Sequence, residues 1–106
     1  MQRGDLVVVA LQGDHGKPRP ALVVQSDLFT PLSTVTVLPL TSQHIDGPAR
    51  VTITPSTANG LQAASQIMVH RPQTITRSKV SRVIGHVDED TMLAVSRALA
   101  VFLGLG

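Results

Sequence analysis

The sequence predicts a mainly β fold with one C-terminal α-helix, arranged as a small barrel. Three observations carry that expectation. Short, β-branched apolar runs recur between Gly- and Pro-rich breaks across the first 87 residues. From residue 88 onward the apolar spacing becomes that of a helix. The chain has 106 residues, enough for one core and not for two, so residues 1–106 are read as a single domain.

Taken in order, LVVVAL (6 to 11) and ALVVQ (21 to 25) are continuous apolar runs, too short for helices and bounded by Gly and Pro, and so read as buried strands. QGDHGKPRP between them reads as an exposed loop. TVTVLPL (34 to 40) alternates like a half-buried strand, and Pro39, which lacks an N–H, assigns it to an edge, a bulge or a strand end. ARVTIT alternates again, and Asn59-Gly60 marks a turn. SQIMVH, QTIT and VSRVIGHV complete the series, with a helical turn expected at RSKV. In DEDTMLAVSRALAVFLGLG, Asp88 is the expected N-cap, with Glu89 and Asp90 in the first turn where the helix dipole favours negative charge. Met92, Leu93, Val95, Leu99, Phe102 and Leu103 form the apolar stripe, and Gly104 is the expected stop.

Composition narrows the function classes. No cysteine is present, which removes disulfides and thiolate metal sites and makes the cytoplasm the simplest residence. No apolar stretch approaches the roughly 20 residues of a membrane span. The formal charge of +2 is uneven: residues 1 to 87 carry net +4 and residues 88 to 106 net −2, which suits an anionic ligand on the body of the domain. With no Trp or Tyr and only two Phe, the chain has no aromatic platform for stacking bases, so any nucleic-acid contact rests on Arg, Lys, backbone amides and small polar groups.

Three places could carry chemistry. Arg19 stands between Pro18 and Pro20, so its guanidinium is presented with little backbone freedom and suits a phosphate. Thr41 and Ser42 follow TVTVLPL where hydroxyls can orient a ribose or phosphate oxygen. His70 precedes Arg71-Pro72, a second basic-proline pair, and imidazole suits proton transfer near neutral pH. Each has a plainer reading, which spacing alone favours: a surface Arg in a turn, hydroxyls bonded to their own backbone, and a solvated His. His15, His44 and His86 lack metal-ligand spacing, and neither a Walker nor a nucleophile-elbow motif occurs, so no metal or cofactor is expected.

The order of motifs is more informative than any one of them. RGDLVVVAL, KPRPALVVQSDLF, TVTVLPLTS, NGL, SQIMVHRPQTITRSKVSRVIG and an apolar helix together resemble the MazF/PemK family of toxins from type II toxin–antitoxin modules, over roughly residues 2 to 104. The resemblance implies an SH3-like barrel, a homodimer and a metal-independent endoribonuclease acting on single-stranded RNA, usually mRNA. In that family the ribose 2′-hydroxyl attacks the adjacent phosphate, leaving a cyclic phosphate and a 5′-hydroxyl. Arg19 matches the family's catalytic Arg and Thr41 its catalytic Thr. His70 takes the place of an Asp that PemK-type members use as a base, and Met68 the place of an Arg. Lys17, Ser42, Gln43, Arg71 and Gln73 are the expected RNA contacts. The implied partner is an antitoxin of MazE type whose acidic, disordered segment folds into the RNA groove.

Two rivals remain beside this reading. The CcdB-type gyrase poison shares the barrel, but relies on a Trp-Gly-Ile-like terminus where this chain has VFLGLG. A catalytically silent relative that still binds antitoxin is the other, because of His70 and Met68. A proline-peptide receptor would need a Tyr- or Trp-lined groove, which this composition does not supply.

Overall fold

The computed structural model describes residues 1–10 and 16–106. Of the loop expected over residues 12 to 20, residues 12 to 15, with His15, lie outside the described residues, as does Leu11. Among the described residues seven strands and one α-helix follow in chain order: β1 (Asp5–Ala10), β2 (Pro18–Val23), β3 (Thr34–Thr41), β4 (Arg50–Ile53), β5 (Ser65–Met68), β6 (Gln73–Thr76), β7 (Val80–His86) and α1 (Glu89–Phe102). All ladders are antiparallel, in the order β4-β5-β3-β2-β1-β7, with β6 also paired to β3. Among the described residues the ladders do not join into a closed ring, so the barrel is open. Among the described residues no helix is long and apolar enough to cross a membrane.

The continuous apolar runs are explained by burial on both faces of the sheet. Side chains alternate across a strand. Leu6, Leu22, Leu38 and Leu40 therefore enter one core with Ile53, Ile67, Val69 and Val95. Their neighbours Val7, Val9, Ala21, Val23, Val35 and Val37 form a second core on the other face, flanked by Ile75 and Val80.

Helix α1 covers the first core. Val95 is fully buried there, and Met92, Ala98 and Leu99 pack around it at helical spacing. Leu93, Phe102 and Leu103, expected in the same stripe, are about half exposed. Leu103 flanks the buried stripe, Leu93 points to the far side of the helix from Val95, and Phe102 shares the stripe but is the last residue of α1. Asp88 caps the helix by accepting from the Thr91 N–H at 2.8 Å. At the other end Gly104 (φ 73°) donates to Val101 O and the Leu105 N–H to Ala100 O, a left-handed stop of the Schellman type. Arg3 pins the helix to the sheet: its guanidinium donates to Ser96 Oγ at 2.7 Å and to Val24 O.

Two proline expectations are corrected. β2 begins at Pro18, so PRP belongs to a strand rather than a loop. It is paired there with β1 (Val8 opposite Pro20, Ala10 opposite Pro18), while the β2–β3 ladder stops at Ala21–Pro39. The prolines thus stand where the β3 side is unpaired and a missing N–H costs no bond. Pro39 is buried inside β3, not at an edge, bulge or end. It falls between the β3–β6 ladder, which ends at Val37–Gln73, and the β3–β5 ladder, which begins at Leu40–Ile67. β3 changes partner at a residue that could not have donated.

The Asn59-Gly60 turn is not a two-residue hairpin. Asn59 is buried, its Oδ1 accepting from Ser56 N (2.9 Å) and Leu61 N (3.0 Å) and its Nδ2 donating to Thr54 O (2.8 Å). The turn docks on β7, where the His86 N–H donates to Ala58 O at 2.9 Å. The helical turn expected at RSKV forms a 3-10 turn, Arg77–Lys79.

Candidate active site

Beyond the Ala21–Pro39 pair, β2 and β3 part. β2 stays with β1, Arg19 lying opposite Val9, whereas β3 pairs with β5, Thr41 lying opposite Gln66. The register of the vanished ladder, continued two residues, sets Arg19 across from Thr41. A cavity of about 500 Å³ opens between them. Pro20, Pro39, Leu40 and Met68 supply its apolar wall.

Its polar wall comes from strands β2 to β6 and the turns that follow β3 and β5. Arg19 stands on the rigid PRP segment of β2, and Thr41, Ser42 and Gln43 form the end of β3 and the turn after it. Arg71 arrives through the turn after β5, closed by its own N–H donating to Met68 O at 3.2 Å, and Gln73 opens β6 opposite Val37. Arg50, first residue of β4, enters beside Met68, its cross-strand partner.

Of the eight residues singled out by sequence, the cavity gathers Arg19, Thr41, Ser42, Gln43, Arg71 and Gln73. Lys17 and His70 are exposed and outside its lining, His70 at the tip of the turn one residue before Arg71. Arg50 and Ser65 line it without having been singled out. The alternation in ARVTIT turns Val51 and Ile53 toward the core and so puts Arg50 on the other face, but only the β4–β5 register makes that face a cavity wall.

Three guanidiniums converge on this cavity, and its lining among the described residues holds no carboxylate. The field favours an anion, and the planar donor forks suit phosphate. Thr41 Oγ1 accepts from the Gln43 N–H at 3.1 Å, the local turn that strand-end hydroxyls favour. That bond uses an acceptor lone pair and leaves the hydroxyl proton for a ligand.

A model of the PemK-like, MazF-like toxins of type II toxin–antitoxin systems matches residues 2–103. Over 107 residues the chain is 40% identical to a probable endoribonuclease MazF of Mycolicibacterium smegmatis, covering 99% of this chain and 98% of the relative. Over 112 residues it is 29% identical to the endoribonuclease EndoA of Bacillus subtilis, covering 99% and 96%. In fold it is similar to a mycobacterial endoribonuclease solved in complex with its cognate antitoxin (TM-score 0.86, 23% identity, 100% and 97% covered). It is likewise similar to the Mycobacterium tuberculosis toxin MazF-mt6 (TM-score 0.83, 25% identity, 96% and 98% covered). With a family match across nearly its whole length, and relatives named as endoribonucleases, this chain belongs to the PemK/MazF toxin family.

Proposed function

We propose that this protein is the toxin of a type II toxin–antitoxin system and a metal-independent endoribonuclease of single-stranded RNA. The observation that carries the reading is the opposition of Arg19 and Thr41 across a cavity lined by three guanidiniums.

RNA provides its own nucleophile. As the 2′-oxygen bonds to phosphorus, the bond to the 5′-oxygen breaks, giving a 2′,3′-cyclic phosphate and a 5′-hydroxyl. The 2′-OH proton goes to a base, and the departing 5′-oxygen takes one from an acid. Arg19 bonds the non-bridging oxygens as charge builds on them, the largest service a preorganised cation performs here, and Thr41 donates its hydroxyl to the same phosphate. Ser42, Gln43, Arg71 and Gln73 hold the flanking ribose and phosphate groups, with Lys17 outside the cavity as a further backbone contact. His70 is assigned as the proton acceptor, a role that requires the RNA to cross the turn at residues 68 to 71.

The same cationic cavity suits the acidic segment of an antitoxin, which would neutralise the toxin by occupying the RNA path. The protein works as a cytoplasmic homodimer in this reading, and the exposed apolar side chains of α1, among them Leu93 and Phe102, offer surface for pairing.

The test is incubation of the purified protein with a long single-stranded RNA in EDTA, followed by mapping of cuts and end groups beside Arg19→Ala. Discrete cuts with 5′-hydroxyl ends, slowed about 10²- to 10³-fold in the variant, are expected. Intact RNA from well-folded protein would overturn the nuclease reading and point to gyrase inhibition or a silent antitoxin binder.

A further inference from the structure

Arg50 lines the cavity, but its hydrogen bonds lead elsewhere. Nη1 donates to the Gln43 backbone oxygen at 3.0 Å and to Gln66 Oε1 at 3.0 Å. Gln66 is 5% exposed. Its Oε1 also accepts from the Ile45 N–H at 3.0 Å, and its Nε2 donates to Thr52 Oγ1 at 3.1 Å. The turn that follows Thr41 is therefore gripped at two points, Gln43 by Arg50 and Ile45 by Gln66. Both grips come from the paired strands β4 and β5, which belong to the packed sheet.

The grip reaches the reacting end of the cavity in one further bond. The same Gln43 whose carbonyl is held by Arg50 donates its N–H to Thr41 Oγ1. With that lone pair engaged, rotation of the Thr41 hydroxyl is limited, and its proton is left for the cavity. An exposed turn free of this clamp would let Gln43 drift and the hydroxyl turn away. Both bonds use Nη1, so the clamp spends neither the Nη2 nor the Nε donors of Arg50.

We infer that Arg50 is a positioning residue of the site: together with Gln66 it clamps the turn over residues 41 to 45, so that Thr41 presents its hydroxyl to the substrate phosphate. The inference rests on the nuclease reading for its catalytic consequence, and on the hydrogen bonds alone for the clamp. Its removal should be tolerated by the fold, since Gln66 Oε1 retains the Ile45 N–H when Arg50 is lost.

The test uses the full chain as wild type, Arg50→Met, Thr41→Ala and the double variant. Backbone-amide hydrogen exchange reads the clamp, with exchange of the Gln43 amide expected to rise at least about tenfold in Arg50→Met while amides of β1 to β3 keep their protection. Single-turnover cleavage at saturating RNA reads the consequence, so that weaker anion attraction after loss of one cavity guanidinium does not enter the rate. Arg50→Met should lose between about tenfold and 10²-fold in rate. In the Thr41→Ala background the same change should add little, because its path to the chemistry has already been cut. An unchanged Gln43 amide, protection lost across the whole sheet, or additive losses in the cleavage cycle would each overturn the positioning role. Should the wild type leave RNA intact, the nuclease reading falls by itself and the exchange measurement still decides the clamp.

Discussion

Ala21 and Pro39 are the last cross-strand pair of β2 and β3, and the cavity opens at this pair, with Pro39 in its wall. Both strands continue past this pair with other partners, β2 beside β1 and β3 beside β5, so rigid backbone borders the opening on two sides. A site built on paired strands holds its side chains more closely than one built on loops, which is what the proposed phosphate chemistry would ask of Arg19 and Thr41.

Thr41 separates hydroxyl chemistry from packing. Replacement by Val keeps the β-branched shape and removes both the proposed phosphate donor and the acceptor for Gln43 N–H. Single-turnover cleavage should fall by about 10²-fold. Thr41→Ser keeps the hydroxyl and should stay within about tenfold of wild type by the same assay.

His70 stands or falls on cleavage by its Gln variant. As the proposed proton acceptor, its replacement by Gln should lower the single-turnover rate by about 10²-fold. A rate identical to wild type would remove His70 from proton transfer, as its place outside the cavity lining would then explain.

Asp88 couples helix α1 to pH. Hydrogen bonds from Thr91, side chain and then backbone, hold its carboxyl below the ordinary value of 3.8. A group whose folded pKa is depressed stabilises the fold above its unfolded pKa and loses that contribution as pH falls through the folded value. Asp88→Ala should therefore lower the thermal midpoint at pH 7, and the gap from wild type should close as the pH is taken below 3.8 toward acid. Equal gaps at both ends of that range would show that the carboxylate charge is not what caps the helix.

Gly60 is required by position rather than by flexibility. Its φ is +68°, and a Cβ there would run into the Ile84 carbonyl oxygen of β7. Gly60→Ala should cost about 1–3 kcal/mol in denaturant unfolding, with the strain at φ and the backbone clash both contributing.

Much of the fold was legible because hydrophobic period reports burial directly. The β-branched runs at 6 to 11 and 21 to 25, the alternation in ARVTIT and the Asp88-to-Gly104 helix with its cap and stop all correspond to elements that formed. Errors gathered where a local signal has a non-local remedy. Pro18 and Pro20 read as a loop because proline breaks ladders, yet they lie in β2 where no β3 partner asks for a donor. Leu93 and Phe102 read as core because they are apolar, but Leu93 faces away from the only sheet the helix covers and Phe102 stands at the helix end.

The candidate site divides in the same way. Arg19 and Thr41 could be chosen from the chain because the residues around them, prolines on one side and a strand end on the other, are local features, and the order of motifs named a family. Arg50 could not. It reads as the polar half of an alternating strand, and its role depends on lying opposite Met68 and within reach of Gln43 and Gln66, residues separated from it by 7 and 16 positions. The sequence by itself determined which segments must pair and bury, since apolar period and turn chemistry act within a few residues. Register, partner exchange along β3 and the clamp on the Thr41 turn were decided only in the tertiary structure, because hydrogen bonds between distant strands leave no periodic trace in the chain.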